Sequence, residues 1–279
     1  MPEIIHGELI NLAPNVHRIT APNPGVMTGE GTNTYLFGRQ EIAIVDPGPA
    51  MEEHVNAILA GVKKLGGKIT HIIATHTHMD HSPAAKLLLN HVDALLVGQL
   101  ASDSRAQDPT FVPDIHCQHN QLFASAEYRL RAIHTPGHVS NHYCFYEENS
   151  GLLIAGDHIM NGSTVVIVPP SGDMGAYIRS LQLLMDYDIS QIAPAHGDLM
   201  DQPSEVVKGL VAHRLGREAK VVKAMQGLAP TTIEDLVPLV YDDVDASLYP
   251  VAYFSLWAHL LKLEQDSLAA EQAEKWQLS

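Results

Sequence analysis

The chain has only two cysteines, Cys117 and Cys144, among 279 residues. One pair cannot build a disulfide framework, and both thiols read as small buried side chains. Long apolar runs are missing too. None approaches the roughly 20 residues that cross a bilayer, and the opening "MPEIIHGELI" has no basic stretch ahead of an apolar one. Positive charge is scarce: 17 Lys plus Arg face 32 Asp plus Glu, for a formal net charge of −15. Long-range attraction to phosphates needs a positive face, which excludes an exterior devoted to nucleic acid. No GxSxG turn offers an activated serine. These absences predict a cytoplasmic globular protein with no membrane partner.

Histidine is what the chain has in excess, 17 residues, as many as Lys and Arg together. Residues 75–83 read "THTHMDHSP", placing His76, His78, Asp80 and His81 within six positions. His76 and His78 close an apolar run, and in extended backbone side chains at i and i+2 point the same way, so both imidazoles can reach one ion. Asp80 and His81 lie on the turn into the next helix, close enough to serve a second. Four other apolar runs end in a ligand-type residue beside a glycine: Asp46 in "IVDPG", His138 in "TPGH", Asp157 in "IAGD" and His196 in "PAHG". Strand ends of this kind bring distant segments to one edge of a sheet.

Up to residue 200 the sequence alternates short β-rich runs (41–48, 68–76, 93–98, 128–137, 141–148, 151–157, 163–168 and 190–196) with helical stretches at 50–66, 82–91 and 174–187. The runs mostly lack strict alternation, as expected of strands buried on both faces, and Ser82 is placed to cap the second helix. The expected fold is a layered α/β (α+β) domain over 1–202. After it, helices at 204–225, 231–240 and 250–267 and a terminal strand at 274–279 predict a small helical domain over 203–279 that resembles a winged helix.

"THTHMDH", "TPGH", "AGDH" and "PAHG", in this order, resemble the metallo-β-lactamase fold superfamily, whose members are αββα sandwiches with a metal cleft at one edge. The resemblance covers about residues 10–200. It implies that His76, His78 and His138 hold a first metal, that Asp80, His81 and His196 hold a second, that Asp157 bridges them, and that Asp46 supports the ligands from behind. Segments 21–38, 156–181 and 248–264 further resemble the β-lactamase-like hydrolases with a C-terminal winged helix, a group that includes endoribonucleases acting on single-stranded RNA.

An all-nitrogen and oxygen donor set suits two Zn²⁺ and also admits Mn²⁺ or Fe. Two such ions about 3.5–4 Å apart hold a hydroxide between them and polarise a substrate oxygen, so no protein nucleophile is required. Asp80 is the candidate to orient that hydroxide, and His142 and His158, next to ligands, are candidate supporting residues. The expected activity is hydrolysis of a small thioester, ester or lactone, with weak β-lactam hydrolysis compatible. The alternative is an endoribonuclease: Arg214, Arg217 and Lys220 share a helix face and could meet the phosphates of an RNA partner. Against it, 204–279 carries 7 basic and 11 acidic residues.

Overall fold

A computed structural model describes residues 4–101 and 106–279. By packing the chain forms two units that interleave in sequence: the first takes residues up to 135, 141–164 and 187–203, the second 136–140, 165–186 and 204–279. The composition boundary at 203 marks only the last of these crossings.

In the first unit a seven-stranded sheet runs in order β1 (Ile10–Ala13), β2 (Val16–Thr20), β3 (Asn33–Phe37), β4 (Glu41–Val45), β5 (Lys68–Ile73), β6 (Leu95–Gly98) and β7 (Ile115–His116). It is antiparallel up to β4 and parallel from β4 to β7. A second sheet has the order β12-β11-β10-β9-β8, from β8 (Leu122–Ala124), β9 (Arg129–His134), β10 (Tyr143–Glu147), β11 (Leu152–Gly156) and β12 (Gln191–Pro194).

Residue parity explains how the sheets pack. Tyr35, Phe37, Ala43 and Val45 point into one core with Leu130, Ala132, Phe145 and Ile154 of the other sheet, so the two sheets lie face to face. The alternate residues Leu36, Ile42 and Ile44 enter a second core with Val55, Ile58, Ala85 and Leu88 of α1 (Glu52–Leu65) and α2 (Ala84–Leu88). Both parities are therefore buried, which is why the runs read as continuously apolar. At about 25 cal/mol per Å² of apolar surface, the double burial makes this sheet the main stabilising element.

The second unit carries α3 (Met174–Leu183), α4 (Pro203–Met225), α5 (Ile233–Val240) and α6 (Tyr249–Gln265), then a hairpin of β13 (Ala269–Gln272) and β14 (Lys275–Leu278). Asp173 caps α3 by accepting from the Ala176 amide, and Thr232 caps α5 by accepting from Asp235. Leu236, Val240, Leu256, Leu260 and Trp276 share one core there.

Three local expectations are corrected. Residues 163–168 form no strand: the carbonyls of Val165 and Val166 accept from Arg214 and from the His138 ring, and Pro169 and Pro170 supply no N–H. The 82–91 helix shrinks to five residues, and Ser82 does not cap it, because its hydroxyl donates to Asp108 Oδ2 at 2.8 Å. Strands β1 to β3 were not anticipated at all. Some of their polar groups pair internally, as where the buried Arg18 Nη1 meets Asp198 at 2.9 Å and Thr20 Oγ1 donates to Asn33 Oδ1 at 2.8 Å.

No helix among the described residues is long and apolar enough to cross a membrane.

Candidate metal centre

Asp46, at the end of β4, organises one side of the rim. It adopts φ 53°, a left-handed conformation that Asp tolerates better than most residues. Its Oδ1 accepts from the Thr75 amide at 2.7 Å, while Oδ2 accepts from the Thr75 hydroxyl at 2.8 Å and lies 3.0 Å from His81 Nδ1. A carboxylate on one imidazole nitrogen leaves the other for an ion and fixes the ring's direction. His196 is held in the same manner, its Nδ1 3.1 Å from the carbonyl of Gly31.

The next strand of the rim supplies the paired histidines. β5 ends at Ile73, and His76 and His78 follow with ring centroids 4.5 Å apart, His76 Nε2 lying 2.9 Å from His78 Nδ1. Asp157 follows Gly156, whose φ of 51° and surroundings admit no side chain: a Cβ there would stand 2.6 Å from His142 Nε2 and 2.7 Å from Thr75 Oγ1. His142 Nε2 accepts from the Asp157 amide at 3.2 Å, and its Nδ1 lies 2.9 Å from Thr135 Oγ1. His142 thus supports Asp157 through the backbone. His158 is fully buried with its ring 5.8 Å from that of His142.

Two groups of donors result. His76, His78 and Asp157 offer ligand atoms within 4.8 Å of one another, and so do Asp80, His81 and His196. Asp157 also faces the second group: its Oδ1 is 3.5 Å from His81 Nε2 and 3.3 Å from His196 Nε2, while Asp80 Oδ2 is 3.5 Å and 3.3 Å from the same two nitrogens. His138 stands on the link 136–140, whose neighbours Thr135 and Asn141 belong to the first unit. Within its own unit its Nδ1 is 2.8 Å from the carbonyl of Val166.

The donors fit a metal. Two ligands of a tetrahedral ion at about 2.0–2.2 Å stand about 3.3–3.5 Å from each other. His81 Nε2 and His196 Nε2 are buried, sit at that separation from two carboxylates, and have no hydrogen-bond partner. Charge points the same way. Burial alone would raise the Asp80 carboxyl, but His81 and His196 outweigh it and hold the group down at about 2. Burial alone would lower His81, yet Asp80, Asp157 and Asp46 raise it, and Asp157 and Asp80 lift His196 to about 9. Burial, with His81 and His78 alongside, drives His76 well down and keeps it neutral.

The expected phosphate-facing patch is not formed. Arg214 is buried, donating to the Val165 carbonyl at 2.5 Å and lying 5.2 Å from the Tyr177 ring centroid. Arg217 donates to Val240 O and Asp243 and lies over Tyr241, and Lys220 pairs with Asp242 and Asp243. All three cations are spent inside the second unit.

The sequence profile of the metallo-beta-lactamase superfamily matches residues 27–115 and 120–196, and that of the beta-lactamase associated winged helix domain matches 232–276. The chain belongs to the metallo-beta-lactamase superfamily. It is 30% identical over 269 residues to a protein named Beta-lactamase-like protein 2 homolog of Drosophila melanogaster, covering 91% of this chain and 89% of that one. It is 31% identical over 245 residues to an atrochrysone carboxyl ACP thioesterase of Aspergillus chevalieri, covering 84% and 75%. A solved beta-lactamase domain protein from Burkholderia ambifaria shares the fold, with a TM-score of 0.82 at 18% identity over 98% of this chain and 94% of that one. Superfamily membership, the thioesterase relatives and the donor cluster make this member a metal-dependent hydrolase with a divalent-metal site.

The sequence pass missed several supports of this rim, among them Thr75, Asn141 and Gln107. Thr75 had a signal, since it opens the histidine cluster itself. The other two come from separate strand connections and had none.

Proposed function

We propose that the chain hydrolyses a carboxylic thioester at a site for two divalent cations, with Zn²⁺ preferred over Mn²⁺ or Fe. His76, His78 and His138 hold the first, Asp80, His81 and His196 the second, and Asp157 reaches both. The observation that carries this reading is the position of Asp157, which is grouped with His76 and His78 while its Oδ1 stands 3.3 to 3.5 Å from the two imidazoles of the other group. The thioester is chosen over other carbonyl substrates because a relative 31% identical carries that activity in its name.

A bound pair of dications supplies Lewis-acid polarisation of the carbonyl and lowers the pKa of water from 15.7 toward about 7. The chain's own groups do the rest. Asp46 and Gly31 fix the rings of His81 and His196, and His142 holds the Asp157 amide. Asp80, with 28% of its side chain exposed against 12% for Asp157, is the carboxylate open to substrate, and it orients the attacking water. Attack of water on the carbonyl carbon forms the C–O bond, breaks the C–S bond and releases a carboxylate and a thiol, one proton of the water consumed going to the thiol and the other to solvent.

The test is elemental analysis of purified protein joined to a substrate panel in which thioesters, oxygen esters and lactones share one acyl group, with single-stranded RNA alongside. Turnover is expected with thioesters, lost on chelation and restored by Zn²⁺. A protein loaded with two ions that leaves every thioester intact would overturn the substrate assignment, and RNA cleavage would replace it.

A further inference from the structure

Thr77 lies between His76 and His78 on the irregular segment past the end of β5. It is 2% exposed. Its hydroxyl donates to Gln107 Oε1 at 2.5 Å and accepts from Asn141 Nδ2 at 2.9 Å, while its carbonyl accepts from the Asp108 amide at 2.6 Å. Asn141, 1% exposed, also donates to the Gln99 carbonyl at 2.9 Å. Its Oδ1 has no hydrogen-bond partner, and an inverted amide would set oxygen against the Gln99 carbonyl oxygen, so the orientation of the side chain is determined.

We propose that Asn141 is a positioning residue for the first metal group, acting through Thr77. The inference rests on the reading that His76 and His78 hold an ion. Past the end of β5 at Ile73 the main chain is held at Ala74 by Val97, at Thr75 by Asp46 and Tyr143 and at Thr77 by Asp108, but between the two imidazoles only Thr77 offers a side chain that can fix the segment's rotation about its own axis. The Asn141 amide and the Gln107 carbonyl oxygen grip the Thr77 side chain and so set the angle at which the flanking rings leave the chain. The His78 and Gln107 backbones form an isolated bridge, so the grip and the ring it aims belong to one framework. Asn141 is also three residues beyond His138 in sequence, directly after the link 136–140. Metal affinity depends on ligand placement to about half an ångström, and outer partners of this kind typically change it about 10–100-fold.

The experiment uses the full chain, freed of metal by chelator and titrated with Zn²⁺ against a chromophoric competitor, with thermal midpoints recorded for metal-free and Zn²⁺-loaded protein. Wild type is expected to take up two ions. Asn141→Ala and Thr77→Val should weaken one of them about 10–100-fold and leave the other within about twofold. Thr77→Ser, which keeps the hydroxyl, should restore wild-type affinity, and the Thr77 pair carries the test on its own if Asn141→Ala does not fold. A purely structural role would lower both thermal midpoints equally and leave both affinities at wild-type values, and that result overturns the inference alone. A wild-type chain that takes up no ion overturns the metal reading and this inference with it.

Discussion

The two units of this protein each gather charged side chains, to opposite ends. On the rim of the first, His81 and His196 turn nitrogens without hydrogen-bond partners toward two carboxylates at 3.3 to 3.5 Å, and their other nitrogens are tied to Asp46 and Gly31. On α4 of the second, Arg214, Arg217 and Lys220 each end on a carbonyl or carboxylate of their own unit. The lesson concerns how to read a cluster of like residues. What separates a binding site from a structural network is whether the charged groups close hydrogen bonds or face one another at ligand-to-ligand separation.

The comparison is broken most severely at Asp157. Asp157→Ala should lose at least one of the two ions and reduce thioester turnover about a thousandfold or more, since a bridging ligand and the metal chemistry fall together. Elemental analysis with a rate measurement on one sample checks both, and retention of two ions contradicts the bridge.

Protons come next. The folded pKa of His196, about 9, lies above its ordinary value near 6.5, so metal-free protein is stabilised below 6.5 and loses that contribution as pH rises through 9. An ion must displace the same proton, so Zn²⁺ affinity should climb with pH, about tenfold per unit for that one proton, and level off above 9. Titrations between pH 6 and 9.5 would show it, and a flat profile would remove His196 from the ligand set.

The smallest effects belong to the second unit. Arg214→Ala removes a buried hydrogen bond and a guanidinium stacked on Tyr177, which should cost about 1–3 kcal/mol of stability in denaturant with metal content unchanged. Lys220→Ala, at an exposed pair, should leave the unfolding midpoint where it was. A loss of RNA binding by either variant would reinstate the phosphate-facing patch.

Much of the rim was legible because each of its donors ends an apolar run beside a glycine or on the turn out of a strand, a pattern local in sequence. Its supports were not. Thr77 and Asn141 meet across 64 positions, and neither residue type signals that partnership. The α4 residues illustrate the same limit from the other side. Helical geometry sets Arg214, Arg217 and Lys220 within about 120° of one another, but could not show that Asp242 and Asp243, more than 20 residues on, return to neutralise two of them. The C-terminal hairpin was half-legible: β14 was anticipated, whereas β13 is rich in Ala and Glu, and its turn uses Ala273 and Glu274 at φ 52° and 62° with no glycine to announce it.

Asp46 does two jobs that pull on residue choice differently. The left-handed backbone would be most relaxed with glycine, which has no carboxylate for His81 and Thr75; glutamate keeps the charge but is a poorer occupant of that backbone and one methylene longer. Among the twenty side chains only asparagine matches its shape in that conformation, at the expense of the negative charge. Even that exchange sets an NH2 donor where Oδ1 or Oδ2 faces Thr75 and His81, so at this position the charge and the contacts that fix the ring are lost together.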